Sequence, residues 1–316
     1  MTLSEFSIIN TYFQQSKSKR IIAGIGDDAA VIEIPINTQI VTSIDTLVKD
    51  VHFSVNTLPY DLGYKALAVN LSDLAAMGAT PDTTLLSLTL EKATKKWLEA
   101  FSEGFFSLAE QYRISLMGGD ITAGPLCISI VVNGMVPRGK AIYRSGAKVG
   151  DLIYVTGTIG DAGLALDLLK QKNKKIDPFL LKRLHCPSPR IKAGLALRGI
   201  ASAAIDISDG LVADLEKIIQ ASGVGAKIYA DQLPLSENLK QYCVFKKAWN
   251  YALTSGDDYE LCFTVPHKKS SQLKKLFKKL DCEYRCIGKI IEERTFLVVD
   301  DQNQALKIIK KGYEHF

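Results

Sequence analysis

No apolar run in this chain approaches the roughly 18 residues that a membrane span requires, and its N-terminal stretch carries no continuous apolar segment of the secretory kind. The expectation is a cytoplasmic protein that neither crosses a membrane nor is exported. Cysteine is sparse: the six, Cys127, Cys186, Cys243, Cys262, Cys282 and Cys286, include no Cys-x-x-Cys pair. Cys127 and Cys262 lie inside apolar runs and read as small core residues with reduced thiols. Cys282 and Cys286 could share a helix face, but two ligands make no zinc site. The four histidines, His52, His185, His267 and His315, show no metal spacing, and His52, between Val51 and Phe53, reads as a hydrogen-bonded core residue. There is no Gly-x-x-x-x-Gly-Lys-Ser/Thr stretch, which excludes an ordinary P-loop, and no His-Arg-Asp or Asp-Phe-Gly motif of the protein-kinase type. Charge of one sign is not in large excess either. The net charge is +5, much of it in Lys268, Lys269, Lys274, Lys275, Lys278 and Lys279, where Leu273, Leu276, Phe277 and Leu280 recur at helical spacing. That pattern is the solvated face of an amphipathic helix, and the interleaved aromatics of a nucleic-acid platform are missing from it.

What is present is an ordinary globular balance, 47% hydrophobic and 23% charged, over 316 residues, enough chain for two domains. The spacing predicts an amphipathic helix over 4–14 with Phe6, Ile9 and Phe13 as its stripe, then strands over 30–34 and 40–44, with Asp45 at the end of the second. A helix over 60–77, stopped by Gly78 and Pro81, carries Asn70 and Asp73 on one face. A strand over 83–90, a helix over 95–112, a short strand over 114–117 running into Gly118-Gly119-Asp120, and a β-rich run over 127–136 follow. Glycine, proline and charge over 137–150 mark a boundary, giving an N-terminal domain of 1–138 and a C-terminal α/β domain of 139–316. The second half continues with strands over 152–156, 259–265 and 296–299 and helices over 164–169 and 211–221. The alternation of strands and helices in both halves gives a two-domain α/β (α+β) chain.

Aspartates stand out against this background. They lie in apolar-flanked, glycine- or serine-rich knots: Gly26-Asp27-Asp28, Ser43-Ile44-Asp45, Ser72-Asp73, Gly118-Gly119-Asp120, Asp206-Ile207-Ser208-Asp209-Gly210 and Gly256-Asp257-Asp258. A carboxylate beside a buried element is expensive to desolvate unless a cation or donors receive it. Gathered at ~4 Å, each like-charged pair costs about 4 kcal/mol at an effective dielectric near 20. Hard, oxygen-seeking Mg²⁺ resolves that conflict and commonly arrives with substrate phosphates. Singly, each residue has a structural explanation: Asp28 could close a turn, Ser208 or Asp209 could cap the helix at Leu211, and Asp73 could pair with a lysine. Jointly, Asp28, Asp45, Asp73, Asp120, Asp206 and Asp209 point to a magnesium–phosphate site. The segment Gly24 to Ala29 is no dinucleotide fingerprint, because 29–34 alternates like a strand and meets Pro35 where a helix should open. Arg144 in Tyr143-Arg144-Ser145-Gly146-Ala147 suits either a surface charge or bidentate phosphate recognition, and Gly157 to Asp161 reads as strand-to-helix turn chemistry.

In order along nearly the whole chain, these knots resemble the thiamine-monophosphate kinase family, of the superfamily that includes aminoimidazole ribonucleotide synthetase. The resemblance rests on Gly26 to Ala30, Thr42 to Asp45, Val51 to Phe53, Lys65 to Ala79, Gly118 to Asp120, Arg144 to Ala147, Asp206 to Leu211 and Gly256 to Leu261. It implies an aminoimidazole ribonucleotide synthetase-like N-terminal domain that binds ATP and Mg²⁺ and pairs in a homodimer, a C-terminal α/β domain, ATP in a cleft, and transfer of the ATP γ-phosphate to thiamine monophosphate. By matching positions it implies that Asp28, Ser43, Ile44 (through its main chain), Asp45, Asp73, Asp120, Asp206 and Asp209 hold magnesium ions. Gly119, Asp120, Arg144 and Ser208 would contact ATP, and His52, Asp257 and Tyr313 the thiamine monophosphate. The family often has Gly-Gly-Glu-Asp-Tyr where this chain has Ser255-Gly256-Asp257-Asp258-Tyr259, and Ser102 stands where a relative can place a nucleotide-contacting tyrosine.

The implied chemistry needs no general base, since a phosphate monoester with a second pKa near 6 is already largely anionic at neutral pH. Two other readings stand beside it. One is another ATP-dependent enzyme of the superfamily, such as an aminoimidazole ribonucleotide synthetase; the other is a non-catalytic module that binds Mg-ATP. A selenophosphate synthetase would need a reactive cysteine near the N-terminus, and none precedes Cys127; a hydrogenase-maturation protein would end in cysteine, whereas this chain ends Gly312-Tyr313-Glu314-His315-Phe316.

Overall fold

The computed structural model describes residues 4–14, 18–171, 176–307 and 312–314; His315 lies outside them. The chain forms two compact units, Met1–Leu74 with Ala79–Gly139, and Ala75–Gly78 with Lys140–Phe316. Among the described residues, no helix is long and apolar enough to cross a membrane.

In the first unit, α1 (Glu5–Ile8) is capped by Ser4, whose hydroxyl accepts the Ser7 N–H, and widens into a π-helical turn, Ile9–Phe13. This corrects the expected stripe. The wider winding puts Ile8 and Phe13, five residues apart, into the core, while Phe6 is 77% exposed. Phe13 meets the rings of Phe101 and Phe106. Two short strands, β1 (Ile21–Ala23) and β2 (Val31–Ile32), pair as a ribbon. Then come β3 (Thr38–Val48), α2 (Pro59–Ala76), β4 (Thr80–Leu90), α3 (Lys95–Tyr112), β5 (Ser115–Ala123) and β6 (Cys127–Pro137). The sheet runs β3-β6-β4-β5, with β4 and β5 parallel across the α3 crossover and the remaining pairs antiparallel. One face of the sheet carries Ile128, Ile130 and Val132, all fully buried. The helix α2 lies over this face: it is apolar nearly all round and buries Leu67, Leu71 and Leu74. Two strand expectations change here. Asp45 lies inside β3 rather than at its end, and β5 runs through Gly118-Gly119-Asp120 instead of stopping before them. In both cases strand pairing continues past the polar residue, because β6 and β4 supply the hydrogen-bond partners.

The second unit contains β7 (Leu152–Thr156), α4 (Asp161–Lys170), α5 (Pro178–His185), α6 (Ile191–Leu197), β8 (Ala203–Asp206), α7 (Leu211–Ser222), β9 (Gly225–Tyr229), α8 (Glu237–Tyr242), α9 (Phe245–Thr254), β10 (Leu261–Val265), α10 (Ser270–Phe277), β11 (Tyr284–Ile291) and β12 (Phe296–Val299). Its sheet runs β12-β9-β11-β7-β10-β8, antiparallel except for the β12–β9 pair. The interior strand β10, between β7 and β8, is buried at every residue. The lysine-rich run does form α10, with Leu273 and Phe277 inward. Cys282 and Cys286 do not share a helix; Cys286 is in β11 and Cys282 precedes it. Among the described residues no disulfide joins any of the six cysteines; Cys262 is buried and the others are half-buried.

Candidate functional site

In the first unit, strand periodicity aims the expected residues. Ser43 and Asp45 are two apart on β3, so their side chains point to the same face, the one under α2. Asp73 on α2 meets Ser43 there: the Ser43 hydroxyl donates to Asp73 Oδ2 at 2.5 Å. Ile44 points the other way and is 62% exposed, leaving its main chain alone beside the carboxylates. His52 closes the turn that follows β3. The Val48 N–H donates to its Nδ1 at 3.0 Å, so the neutral ring carries its proton on Nε2. His52 is half-buried and backbone-bonded rather than a core residue. Asp28 is exposed in a bend after Gly26.

Asp120 is placed differently. In register it lies beside Ser87, and through Ser129 beside Thr46, all on the sheet face opposite Ser43 and Asp45. Its neighbour Gly119 passes so close to β4 that a Cβ there would stand 1.9 Å from the Leu86 carbonyl oxygen. Glycine at this position is a packing requirement of the strand pair.

In the second unit, three segments are tied into one cluster. The Asp257 N–H donates to Ser208 O at 2.9 Å, Tyr259 N–H to Ile207 O at 2.8 Å, Ile207 N–H to Glu260 O at 2.8 Å, and Tyr313 N–H to Asp209 O at 3.1 Å. Thus Ser208 and Asp209, Asp257, and Tyr313, from three segments far apart in sequence, come together, with Asp206 at the end of β8 beside them. The approach requires Gly256, where a Cβ would lie 2.0 Å from Ser208 O. Arg144 is not drawn into this cluster. Ser222, at the far end of α7, accepts the Gly146 and Ala147 N–H groups and donates to Arg144 O. The 12 residues of α7 put about 18 Å between that end and Asp209.

The expected caps give way to a different arrangement. Neither Ser208 nor Asp209 caps α7; buried Asp214, from its first turn, accepts the N–H groups of Ser208, Asp209 and Gly210 at 3.0, 3.0 and 3.2 Å. A side chain inside the helix can serve three donors at once, whereas a cap at 208 or 209 serves one. Lys217 bridges Asp209 at 2.7 Å and Asp214 at 2.8 Å. Beneath the 256–260 loop sits a buried ion cluster: Arg190 grips Glu260 in a two-pronged bond of 2.6 and 2.5 Å, Arg183 reaches Glu260 at 3.0 Å, and Thr156 donates to it at 2.7 Å. Burial pushes the Asp258 carboxyl well above the ordinary carboxylate range, against the pull of Arg183 and the Gly160 N–H. Asp161 is raised by burial too, opposed by hydrogen bonds from Ser236 and Thr158. Gly157 to Asp161 is turn chemistry, as expected, but α4 begins at Asp161, and its N-cap Gly160 hands its N–H to Asp258. Sequence reasoning missed Asp214, Lys217, Arg183 and Arg190. An i, i+3 pair at 214 and 217 was the one local signal available.

Among the described residues, no three His, Cys, Asp or Glu side chains already stand together as metal ligands. The donor set nevertheless fits magnesium: Ser43, Asp45 and Asp73 offer only oxygen, and Mg²⁺ takes one or two carboxylates, keeps waters and completes its shell with phosphates.

The two halves match two family models, the N-terminal domain of AIR synthase related protein over residues 26–136 and the C-terminal domain of the same proteins over 148–301. The fold and the acidic loops therefore define a protein of the AIR synthase related class. Within that class the likeness is more particular. The chain is 45% identical over 323 residues to the thiamine-monophosphate kinase of Buchnera aphidicola, with all of both chains covered. The solved thiamine-monophosphate kinase of Stenotrophomonas maltophilia superposes with a TM-score of 0.86 at 44% identity, covering 91% of this chain and 93% of the other. AaThiL complexed with AMPPCP and TMP superposes with a TM-score of 0.79 at 34% identity, covering 95% and 93%. The chain belongs to the thiamine-monophosphate kinase family.

Proposed function

We propose that this protein transfers the γ-phosphate of ATP directly to the phosphate of thiamine monophosphate, forming thiamine diphosphate, as the last step of thiamine diphosphate synthesis in the cytoplasm. The observation that carries this is the end-to-end likeness to thiamine-monophosphate kinases, one of them solved with AMPPCP and TMP. Residues 1–138 are the ATP- and magnesium-binding, dimer-forming domain in this reading, and 139–316 the C-terminal domain.

The acceptor phosphate is largely ionised at neutral pH, so no side chain has to remove a proton. The task left to the chain is to bring two polyanions together and align them. Asp28, Ser43, the Ile44 main chain, Asp45, Asp73, Asp120, Asp206 and Asp209 hold Mg²⁺ ions. When bound, these neutralise the phosphate charge and polarise the transferred group. Gly119, Asp120, Ser208 and the exposed Arg144 contact ATP; a guanidinium on a glycine-bearing loop suits two-pronged phosphate binding. His52, with an N–H at Nε2, and Asp257 and Tyr313, joined through the Asp209 loop, contact thiamine monophosphate.

The protein is a homodimer in the same reading. Support comes from the open face of the first sheet, where Ile40 is 50% and Ile44 62% exposed on β3 beside the polar Thr46, Ser129 and Asp120, exposed apolar side chains among polar ones of the kind that marks an interface. Ile44→Asp should halve the mass measured by light scattering, and an unchanged mass would remove this surface from the dimer. The activity is tested by incubating the protein with ATP, Mg²⁺ and thiamine monophosphate and separating the products by chromatography. Thiamine diphosphate should form, and excess EDTA should abolish it. Absence of the product would sink the assignment, and full activity in EDTA would sink the metal sites.

A further inference from the structure

The loop that carries Asp257 alternates between strain and anchorage. Asp257 and Tyr259 have left-handed backbone angles, φ 67° and 50°, a region that crowds the Cβ of any L-residue. Such conformations persist where the surroundings over-determine them. The residues that intervene and follow, Asp258 and Glu260, are 1% and 0% exposed. Asp258 receives the Gly160 N–H on both oxygens at 2.9 Å. Glu260 receives Arg190 twice, Arg183 and Thr156. Arg183 is itself fixed, donating to Thr158 O at 2.8 Å and standing 3.7 Å from Asp161. A carboxylate with three charged contacts and a hydroxyl has little freedom, and neither does the backbone on either side of it. The strained Tyr259 then makes one further bond: its hydroxyl donates to Asp257 Oδ1 at 3.1 Å.

We infer that Arg183, Arg190, Glu260 and Tyr259 are positioning residues for thiamine monophosphate recognition. The buried cluster holds the 256–260 loop in its left-handed course, and the Tyr259 hydroxyl fixes the rotamer of the Asp257 carboxylate. That carboxylate meets the cationic, ring-bearing part of the substrate. This rests on Asp257 being a substrate contact. None of the four residues touches ATP or thiamine monophosphate; each acts through Asp257, so its loss is read in the KM for thiamine monophosphate and not in that for ATP.

Steady-state kinetics on Tyr259→Phe, Arg190→Lys, Asp257→Ala and the double variant Tyr259→Phe/Asp257→Ala test this. Tyr259→Phe removes one hydroxyl and keeps the ring, so the KM for thiamine monophosphate should rise about tenfold, as for a lost bond to a charged group, with the KM for ATP within about twofold. Arg190→Lys keeps the charge but loses the fork, and should raise the same KM while lowering the thermal midpoint. In the Asp257→Ala background, Tyr259→Phe should add nothing. Three results overturn the inference: a wild-type KM in Tyr259→Phe, an equal rise in the KM for ATP, or additive effects in the double variant. Arg190→Lys that loses stability but keeps its KM would reduce the cluster to a structural role and remove the arginines from the inference; should that variant fail to fold, Tyr259→Phe decides alone. The underlying readings fail separately. A wild-type KM in Asp257→Ala removes Asp257 as a substrate contact, and a wild-type protein that makes no thiamine diphosphate removes the kinase reading.

Discussion

Ser43, Asp45 and Asp73 in the first unit stand on a strand and on the helix packed over it, and regular geometry aims them. Asp209 and Asp257 in the second unit stand on loops, where direction comes from backbone bonds between distant segments, left-handed residues and charges buried beneath. The first arrangement should lose a carboxylate with little damage, since regular strand and helix hydrogen bonds hold its backbone. The second cannot lose its supports so easily.

Breaking the second arrangement should have the largest effect on stability. Glu260→Gln keeps the shape but removes the buried carboxylate charge that Arg183 and Arg190 share, which should cost about 3–5 kcal/mol of unfolding free energy in urea titrations. A loss below about 1 kcal/mol would mean the cluster is loosely held. In the first arrangement, Asp73→Asn should lower kcat about a hundredfold or more and change unfolding by less than about 1 kcal/mol. Wild-type turnover would take Asp73 out of the metal set. A smaller effect is expected at Asp258, whose carboxyl is raised by burial. A carboxyl with a raised folded-state pKa contributes its stability in full below the unfolded value, near about 4, and loses it as pH climbs through the folded value. Asp258→Asn, uncharged throughout, should flatten that decline in urea midpoints measured from about pH 4 to about pH 8; a slope as steep as the parent's would contradict it. Least of all, Thr94→Ala removes the α3 cap to Trp97 and should cost about 1 kcal/mol with neither KM altered.

The same contrast explains what the sequence disclosed. Local sequence pattern located α3 and β7 to the residue, and the glycine-flanked aspartates marked both acidic regions. Asp45 was misplaced at a strand end because a carboxylate looks like a terminator when the covering helix, with Asp73 on it, is unseen. β5 was cut short for the same reason: glycines read as a stop, whereas the close pass of β4 requires Gly119. Arg183 and Arg190 were invisible because they lie some 70 residues or more from Glu260 in sequence, and nothing local in an arginine says which buried carboxylate it will meet. The bond from Tyr313 to Asp209 is of the same kind. Local pattern reports where side chains stand on regular elements, and it is silent on which loops are tied together.

The kinase reading requires direct γ-phosphate transfer between ATP and thiamine monophosphate. It is tested most directly by a single turnover with γ-³²P-labelled ATP, Mg²⁺ and thiamine monophosphate. The label should appear in thiamine diphosphate, with no accompanying release of inorganic phosphate. Label recovered as inorganic phosphate, with thiamine monophosphate unchanged, would contradict it.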